Sequence, residues 1–132
     1  MIVGLLTGLA AFVVEIFVEF LVLKKWQITQ IILDKNVGTG WLTFLVFSLL
    51  FGGVAAILTV FSGPGAAGGG TAEMMGYLNG INYPDFIGLK TLGVKILALS
   101  FAVSSGLCIG KEGPLGHIGA IIGHCVVYLP VS

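Results

Sequence analysis

The sequence predicts an all-α membrane protein in which several apolar helices accompany one short helix that does not cross the bilayer. Of its 132 residues, 57% are hydrophobic and 9% are charged, whereas soluble domains carry about 25% charged residues. The 21 glycines suit membrane helices, where small residues let backbones approach closely. The net charge is zero and no basic stripe is present, which excludes nucleic acid as a partner.

Four apolar runs define the expected helices, and they cover Ile2–Leu23, Trp41–Phe61, Leu92–Ile109 and Leu115–Leu129. The first two reach the roughly 20 residues that a spanning helix needs. The third and fourth are shorter, which favours tilted or partly penetrating helices. The stretch from Lys24 to Gly40 is charged and ends in glycines, so we expect a loop or interfacial turn there.

A glycine-rich stretch precedes the short helix. We expect Thr71 to cap this helix and Asn79 with Gly80 to end it. About ten residues cannot cross a bilayer at about 1.5 Å per residue, so the helix is predicted to be re-entrant or buried. Residues 63–68 also fit a dinucleotide-binding glycine pattern. However, a long apolar run precedes them where that motif requires a short strand, which argues against a soluble nucleotide enzyme.

The segment Gly110-Lys111-Glu112-Gly113-Pro114 opens the fourth apolar run. Pro114 suits the first helical turn, and Gly113 lets the backbone approach a ligand. The free N–H groups and the positive end of the helix dipole attract anions. The sequence therefore predicts an anion site at this helix start.

Glu112 is unusual because an acid between two apolar runs is costly in a membrane protein and marks a functional site by default. Its carboxylate can occupy the anion site and block the path until it is protonated or displaced. Alternatively, Glu112 satisfies the helix dipole or pairs with Lys111. The residues alone leave these interpretations open.

Gly68, Gly69, Gly70 and Thr71 offer a second helix start that is rich in backbone N–H groups. Two such helix starts can converge on one ion. The alternative is a flexible glycine loop without a ligand.

Other patterns are ambiguous. Glu15 and Glu19 share a helical face, either toward polar surroundings or in a proton path. His117 and His124 share a face as well, which leaves metal ligation open. The spacings Gly4-x-x-x-Gly8 and Gly119-x-x-x-Gly123 indicate close packing of helices.

Several motifs together resemble the CLC family of chloride channels and chloride/proton antiporters. Residues 110–114 match the family's GKEGP signature, and Leu115-Gly-His117-Ile continues the pattern. Upstream, residues 68–73 resemble its GSGIPE element, and residues 76–80, Lys90 and Lys95 follow in the family's order. The resemblance is distinctive from about Val54 to Val127.

The resemblance implies that the chain forms helices B to F, the first part of an inverted-repeat bundle, with residues 1–132 as one partial transmembrane domain. Glu112 would then be the gating glutamate. Backbone groups of two helix starts would bind chloride: Gly68, Gly69, Gly70 and Thr71, and Gly110, Lys111, Gly113, Pro114 and Leu115. Protons are a possible second substrate, and the full-length parent is expected to be a homodimer. The resemblance implies neither a cofactor nor enzymatic activity.

The sequence departs from the family at Gly69, where a serine is usual, and at Thr71 and Ala72, where isoleucine and proline are usual. The lost hydroxyl bears on the preference for chloride. The second inverted repeat is also missing, so we expect a fragment of a longer protein. The competing interpretation is a truncated membrane piece that does not transport and acts only as an interaction partner. Channel versus antiporter, and plasma membrane versus endomembrane, stay open.

Overall fold

The computed structural model describes residues 1–81, 83 and 86–128, and every regular element in this part is helical. A π-helical turn, Leu58–Ser62, continues the second helix, and a 3-10 turn, Pro64–Ala66, precedes the third. The α-helices are α1 (Ile2–Leu33), α2 (Val37–Ile57), α3 (Thr71–Leu78), α4 (Leu89–Ser105) and α5 (Glu112–Tyr128). The all-α prediction is confirmed, although Leu129 of the fourth apolar run lies outside the described residues.

The prediction of a loop from Lys24 to Gly40 is wrong. The helix α1 continues to Leu33, and α2 begins at Val37, so the turn is much shorter. Gly40 lies inside α2 where it passes Leu33: an added Cβ would be 2.9 Å from the Cα of Leu33. This glycine allows a close helix crossing here, and Lys24 and Lys25 belong to α1, with Lys25 buried.

Two helical stretches are long and apolar enough to cross a membrane, Ile2–Leu33 and Val37–Ser62. In their most apolar windows only 11% and 6% of the residues are buried. The core helix of a soluble protein would be mostly buried, so these exposed apolar faces require lipid or further protein around them. This supports the predicted membrane environment.

The short helix is present, but its start differs from the prediction. Gly70, with a φ of 77°, is the capping residue, and Thr71 is the first helical residue with no capping bond from its side chain. The helix has eight residues, its last helical residue is Leu78, and Asn79 caps its end, as expected. Its length of about 12 Å is too short to cross a bilayer.

Lys25 joins three helices at the buried end of α4. Its Nζ donates to Oγ of Ser48 on α2 at 2.7 Å and to the carbonyl oxygen of Ser105 at 3.0 Å, with that of Ser104 at 3.4 Å. It also lies 4.0 Å from the ring centroid of Phe44. The last carbonyl groups of a helix lack intrahelical partners and carry partial negative charge, so an ammonium group stabilises this end.

The helix α5 packs against α1 through its predicted glycine face. A Cβ on Gly119 would lie 3.3 Å from Cγ2 of Thr7, and one on Gly123 would lie 3.7 Å from Cγ1 of Val3. The prediction of close packing is confirmed for this pair. Gly4 has no such neighbour within 4 Å in the described chain, nor has Gly8. Only the α5 glycines therefore set a helix contact here.

Candidate anion site

The two predicted helix starts meet. A Cβ placed on Gly113 at the start of α5 would lie 3.5 Å from the Cα of Gly69 and 3.5 Å from Oγ1 of Thr71. Gly69, two residues before α3, and Gly113 in the first turn of α5 are therefore close neighbours, separated by about the room that one added Cβ would fill. The glycine-rich stretch is part of a helix–helix contact in this arrangement.

Both helix starts carry backbone donors without intrahelical partners. The first bond of α3 runs from the Met74 N–H to the Gly70 carbonyl oxygen at 2.9 Å, and that of α5 from the Leu115 N–H to the Lys111 carbonyl oxygen at 3.0 Å. The N–H groups that precede these bonds have no partner inside the helix. Pro114 has no N–H, so the free donors of α5 belong to residues 111–113.

A buried lysine forms a hydrogen bond to the glycine loop that precedes α3. Lys95 is 2% exposed, and its Nζ donates to the carbonyl oxygen of Gly68 at 3.1 Å and lies 2.8 Å from Nδ1 of His117. The other ring nitrogen of His117 lies 3.0 Å from the carbonyl oxygen of Phe86, whose ring stacks on the imidazole at a centroid distance of 4.1 Å. One polar chain thus links α4, the glycine loop and α5.

Gly70 lies directly over this histidine. A Cβ on Gly70 would be 2.5 Å from Nδ1 and 2.8 Å from Cγ of His117, and the backbone is in the left-handed region. Both the close approach and the φ angle require glycine. The position of the α3 start is consequently set by the ring beneath it.

The two charged residues of the GKEGP segment point to different partners. Lys111 bonds to Glu15 of α1, with its Nζ 2.7 Å and 2.9 Å from the two carboxylate oxygens. The side chain of Glu112, the first residue of α5, is exposed and pairs with no described residue. The structure thus favours Glu15 over Glu112 as the partner of Lys111, and it leaves the Glu112 carboxylate free to move.

The remaining site residues fall around this contact. Gly110 and Gly69 are exposed and Pro114 is buried, while Leu115 uses its N–H within the helix. Sequence reasoning did not identify Lys95 and His117 as one polar unit. An ionisable side chain within an apolar run was the available signal.

His117 and His124, which share a helical face, contact different partners. His117 belongs to the buried polar chain, while the ring of His124 lies 4.3 Å from that of Tyr128. In residues 1–81, 83 and 86–128, no group of three side chains is placed to hold a metal ion.

Comparison with known proteins identifies the family of this chain. Residues 51–130 match the family model described as voltage gated chloride channel. The chain is 41% identical over 121 residues to chloride channel protein CLC-a of Arabidopsis thaliana, and 36% identical over 121 residues to chloride channel protein D of Dictyostelium discoideum. It is 37% identical over 125 residues to H(+)/Cl(-) exchange transporter 7 of Mus musculus.

These alignments cover 91–92% of this chain but only 12–16% of the relatives. Exposed apolar helices and two facing helix starts define the class as a helical membrane protein. Within that class, the chain belongs to the voltage gated chloride channel family.

Proposed function

We propose that the facing starts of α3 and α5 bind a small anion, chloride or an ion of similar size, within a transport pathway. The single observation that carries this proposal is the close approach of Gly69 to Gly113, because it places two helix starts with unpaired N–H groups beside each other. Each helix also directs the positive end of its dipole toward the contact. Such donors can replace part of the hydration shell of an anion.

The names of the relatives support a small anion as the transported substrate. CLC-a and protein D are named chloride channel proteins, and the mouse relative is named an H(+)/Cl(-) exchange transporter. We therefore assign chloride as the first candidate anion and protons as a second substrate in an exchanger. The activity is proposed for a full-length protein that carries this segment as part of its transmembrane domain, since the segment covers a small part of the relatives' length.

Glu112 is proposed as the gate. As a carboxylate it competes with the anion for the N–H groups at the start of α5; once protonated or displaced, it leaves them to the anion. Its unpaired side chain at the first helical position supports this role, because no salt bridge within the described chain has to break before it moves. The same movement serves a channel or an exchanger.

The expected setting is a multi-pass integral membrane protein. The two long helices, Ile2–Leu33 and Val37–Ser62, supply spans, and the shorter α3 is placed beside them as a helix that does not cross. The homodimer that the family resemblance implies remains part of the proposal. We treat residues 1–132 as one portion of a single transmembrane domain.

The test is Glu112→Gln in the full-length protein, reconstituted into liposomes, with chloride efflux followed by electrode as pH is varied. The amide imitates the neutral acid at every pH, so we expect efflux that no longer depends on pH. Glu19→Gln is the matched control, because Glu19 is exposed on α1 and lies outside the site. Undiminished pH dependence in Glu112→Gln would refute the gating role, and absence of anion-dependent flux in the unchanged protein would refute transport.

A further inference from the structure

A cavity of about 420 Å³ lies between α1 and the start of α5. Glu15 contributes to its wall from α1, and Lys111 and Glu112 contribute from the other side. Three charged side chains thus border one space next to the proposed anion site. Their pairing decides whether the positive charge of Lys111 lies beside the Glu112 carboxylate or beside that of Glu15.

The observed pairing joins residues 96 positions apart in preference to neighbours in sequence. Lys111 is adjacent to Glu112 in the chain, yet its ammonium group lies 2.7 Å and 2.9 Å from the two carboxylate oxygens of Glu15. Because both carboxylate oxygens of Glu15 contact this ammonium group, the Lys111 charge is neutralised on the α1 side of the cavity. The two side chains are 45% and 60% exposed, so solvent weakens the pair without removing its geometric effect.

No other charged group of the described chain borders this cavity. The helices α1, α3 and α4 all contact α5. Their remaining charged residues are Glu19, Lys24 and Lys25 of α1, Glu73 of α3, and Lys90 and Lys95 of α4. Lys95 is engaged by Gly68 and His117, and Lys25 by the end of α4. The titratable groups of α3 and α5 other than these, namely Tyr77, His117, His124, Cys125 and Tyr128, also lie outside the cavity wall.

We propose that Glu15 is a positioning residue for the gate, because it holds the Lys111 ammonium group away from the Glu112 carboxylate. With Lys111 held, the Glu112 carboxylate gains no salt bridge in its blocking state. Without Glu15, the ammonium group turns across the shared cavity and pairs with Glu112. That pair stabilises the charged, blocking form, so more acid is needed to open the path.

This inference rests on the proposed gating by Glu112, and its experiment separates the two. In the full-length protein in liposomes, Glu15→Gln is expected to move the pH of half-maximal chloride efflux to a lower value by about one pH unit, the low end of what a neighbouring opposite charge produces. Glu15→Ala removes the remaining oxygen acceptor and is expected to shift the midpoint at least as far. Glu19→Gln, one helical turn away and without an ion pair to Lys111, is expected to leave it in place.

The double variant Glu15→Gln with Lys111→Met tests the route of the effect. With the ammonium group gone, the midpoint is expected to return to the value of the unchanged protein. A general loss of α1–α5 packing would not be repaired by a second substitution. A midpoint that stays shifted in the double variant would overturn the proposal, as would an unmoved midpoint in both Glu15 variants.

The Glu112→Gln variant identifies which idea has failed. If pH dependence survives in Glu112→Gln, the gate itself is refuted and the role of Glu15 falls with it. If Glu112→Gln abolishes pH dependence while the Glu15 variants behave like the unchanged protein, the gate stands and only the positioning role of Glu15 is rejected.

Discussion

The Nζ of Lys95 lies 2.8 Å from Nδ1 of His117, and this contact determines which ring nitrogen carries hydrogen. An ammonium group only donates, so Nδ1 must accept. Lysine holds its proton more tightly than histidine, which places the proton on Lys95. The Nε2–H then donates to the carbonyl oxygen of Phe86 at 3.0 Å. One tautomer of His117 therefore satisfies both ring nitrogens.

Lys95→Met is expected to destabilise the folded protein by about 1–3 kcal/mol, because the Gly68 carbonyl oxygen and Nδ1 of His117 lose their buried donor. The measurement is the thermal unfolding temperature of the full-length protein in detergent. Lys90→Met is the control on the same helix, where the side chain is exposed. Equal unfolding temperatures for the two variants would contradict the structural role of Lys95.

Gly70→Ala and Gly68→Ala separate backbone strain from steric conflict. Both residues have positive φ values, 77° and 63°, so each alanine carries a strain of about 1–2 kcal/mol. Only the Gly70 variant also meets the ring of His117, while no atom lies within 4 Å of a Cβ on Gly68. We expect Gly70→Ala to cost about 1–3 kcal/mol more than Gly68→Ala in thermal or denaturant unfolding. Similar losses would show that the loop moves away from His117.

Gly69→Ser is expected to raise the preference of the full-length protein for chloride over nitrate. The new side chain has room, since a Cβ there lies 3.8 Å from Oγ1 of Thr71 and 3.9 Å from the Cα of Gly113. A positioned hydroxyl favours the smaller, more charge-dense ion, and a difference of about 1 kcal/mol corresponds to roughly fivefold in the flux ratio. Gly116→Ser is the control on the exposed side of α5. An unchanged ratio would place selectivity elsewhere.

Lys25→Met is expected to lower stability by about 1.5–3 kcal/mol, since carbonyl groups at the buried end of α4 lose a charged donor. Lys24→Met provides a neighbouring control, because Lys24 is exposed and lies 5.8 Å from the ring centroid of Phe20. Both variants remove one positive charge from α1. If urea unfolding gives the same free energy for both, the end of α4 does not depend on Lys25.

The sequence was most informative where local chemistry defines structure. Pro114 and Gly113 mark the start of α5, and Asn79 marks the end of α3, as the structure has them. It was least informative where a long side chain finds a distant partner. The charge of Lys25 predicts a loop position, yet its partners on α4 lie 79 and 80 residues away. Helical periodicity contains no record of such contacts.

The candidate site also contains features that the sequence predicts and one contact that it does not. The glycines and Glu112 were predictable because helix starts have recognisable residues. The pairing of Lys111 with Glu15 was not, because in the sequence the adjacent Glu112 is the nearest acid and Glu15 lies 96 positions away. Only the packing of α1 against α5 decides between them.

The position of Lys25 also has a consequence for assembly during synthesis. Its helix and α2 leave the ribosome before α4, so Lys25 and Ser48 are already synthesised when Ser104 and Ser105 emerge. Until that encounter, the carbonyl groups at the end of α4 lack a donor, which costs several kcal/mol in a lipid environment. Chain growth from the amino terminus therefore makes the Lys25 donor available before the carbonyl groups at the end of α4 are made. A circular permutant that begins at α4 would have to insert these carbonyl groups without that donor.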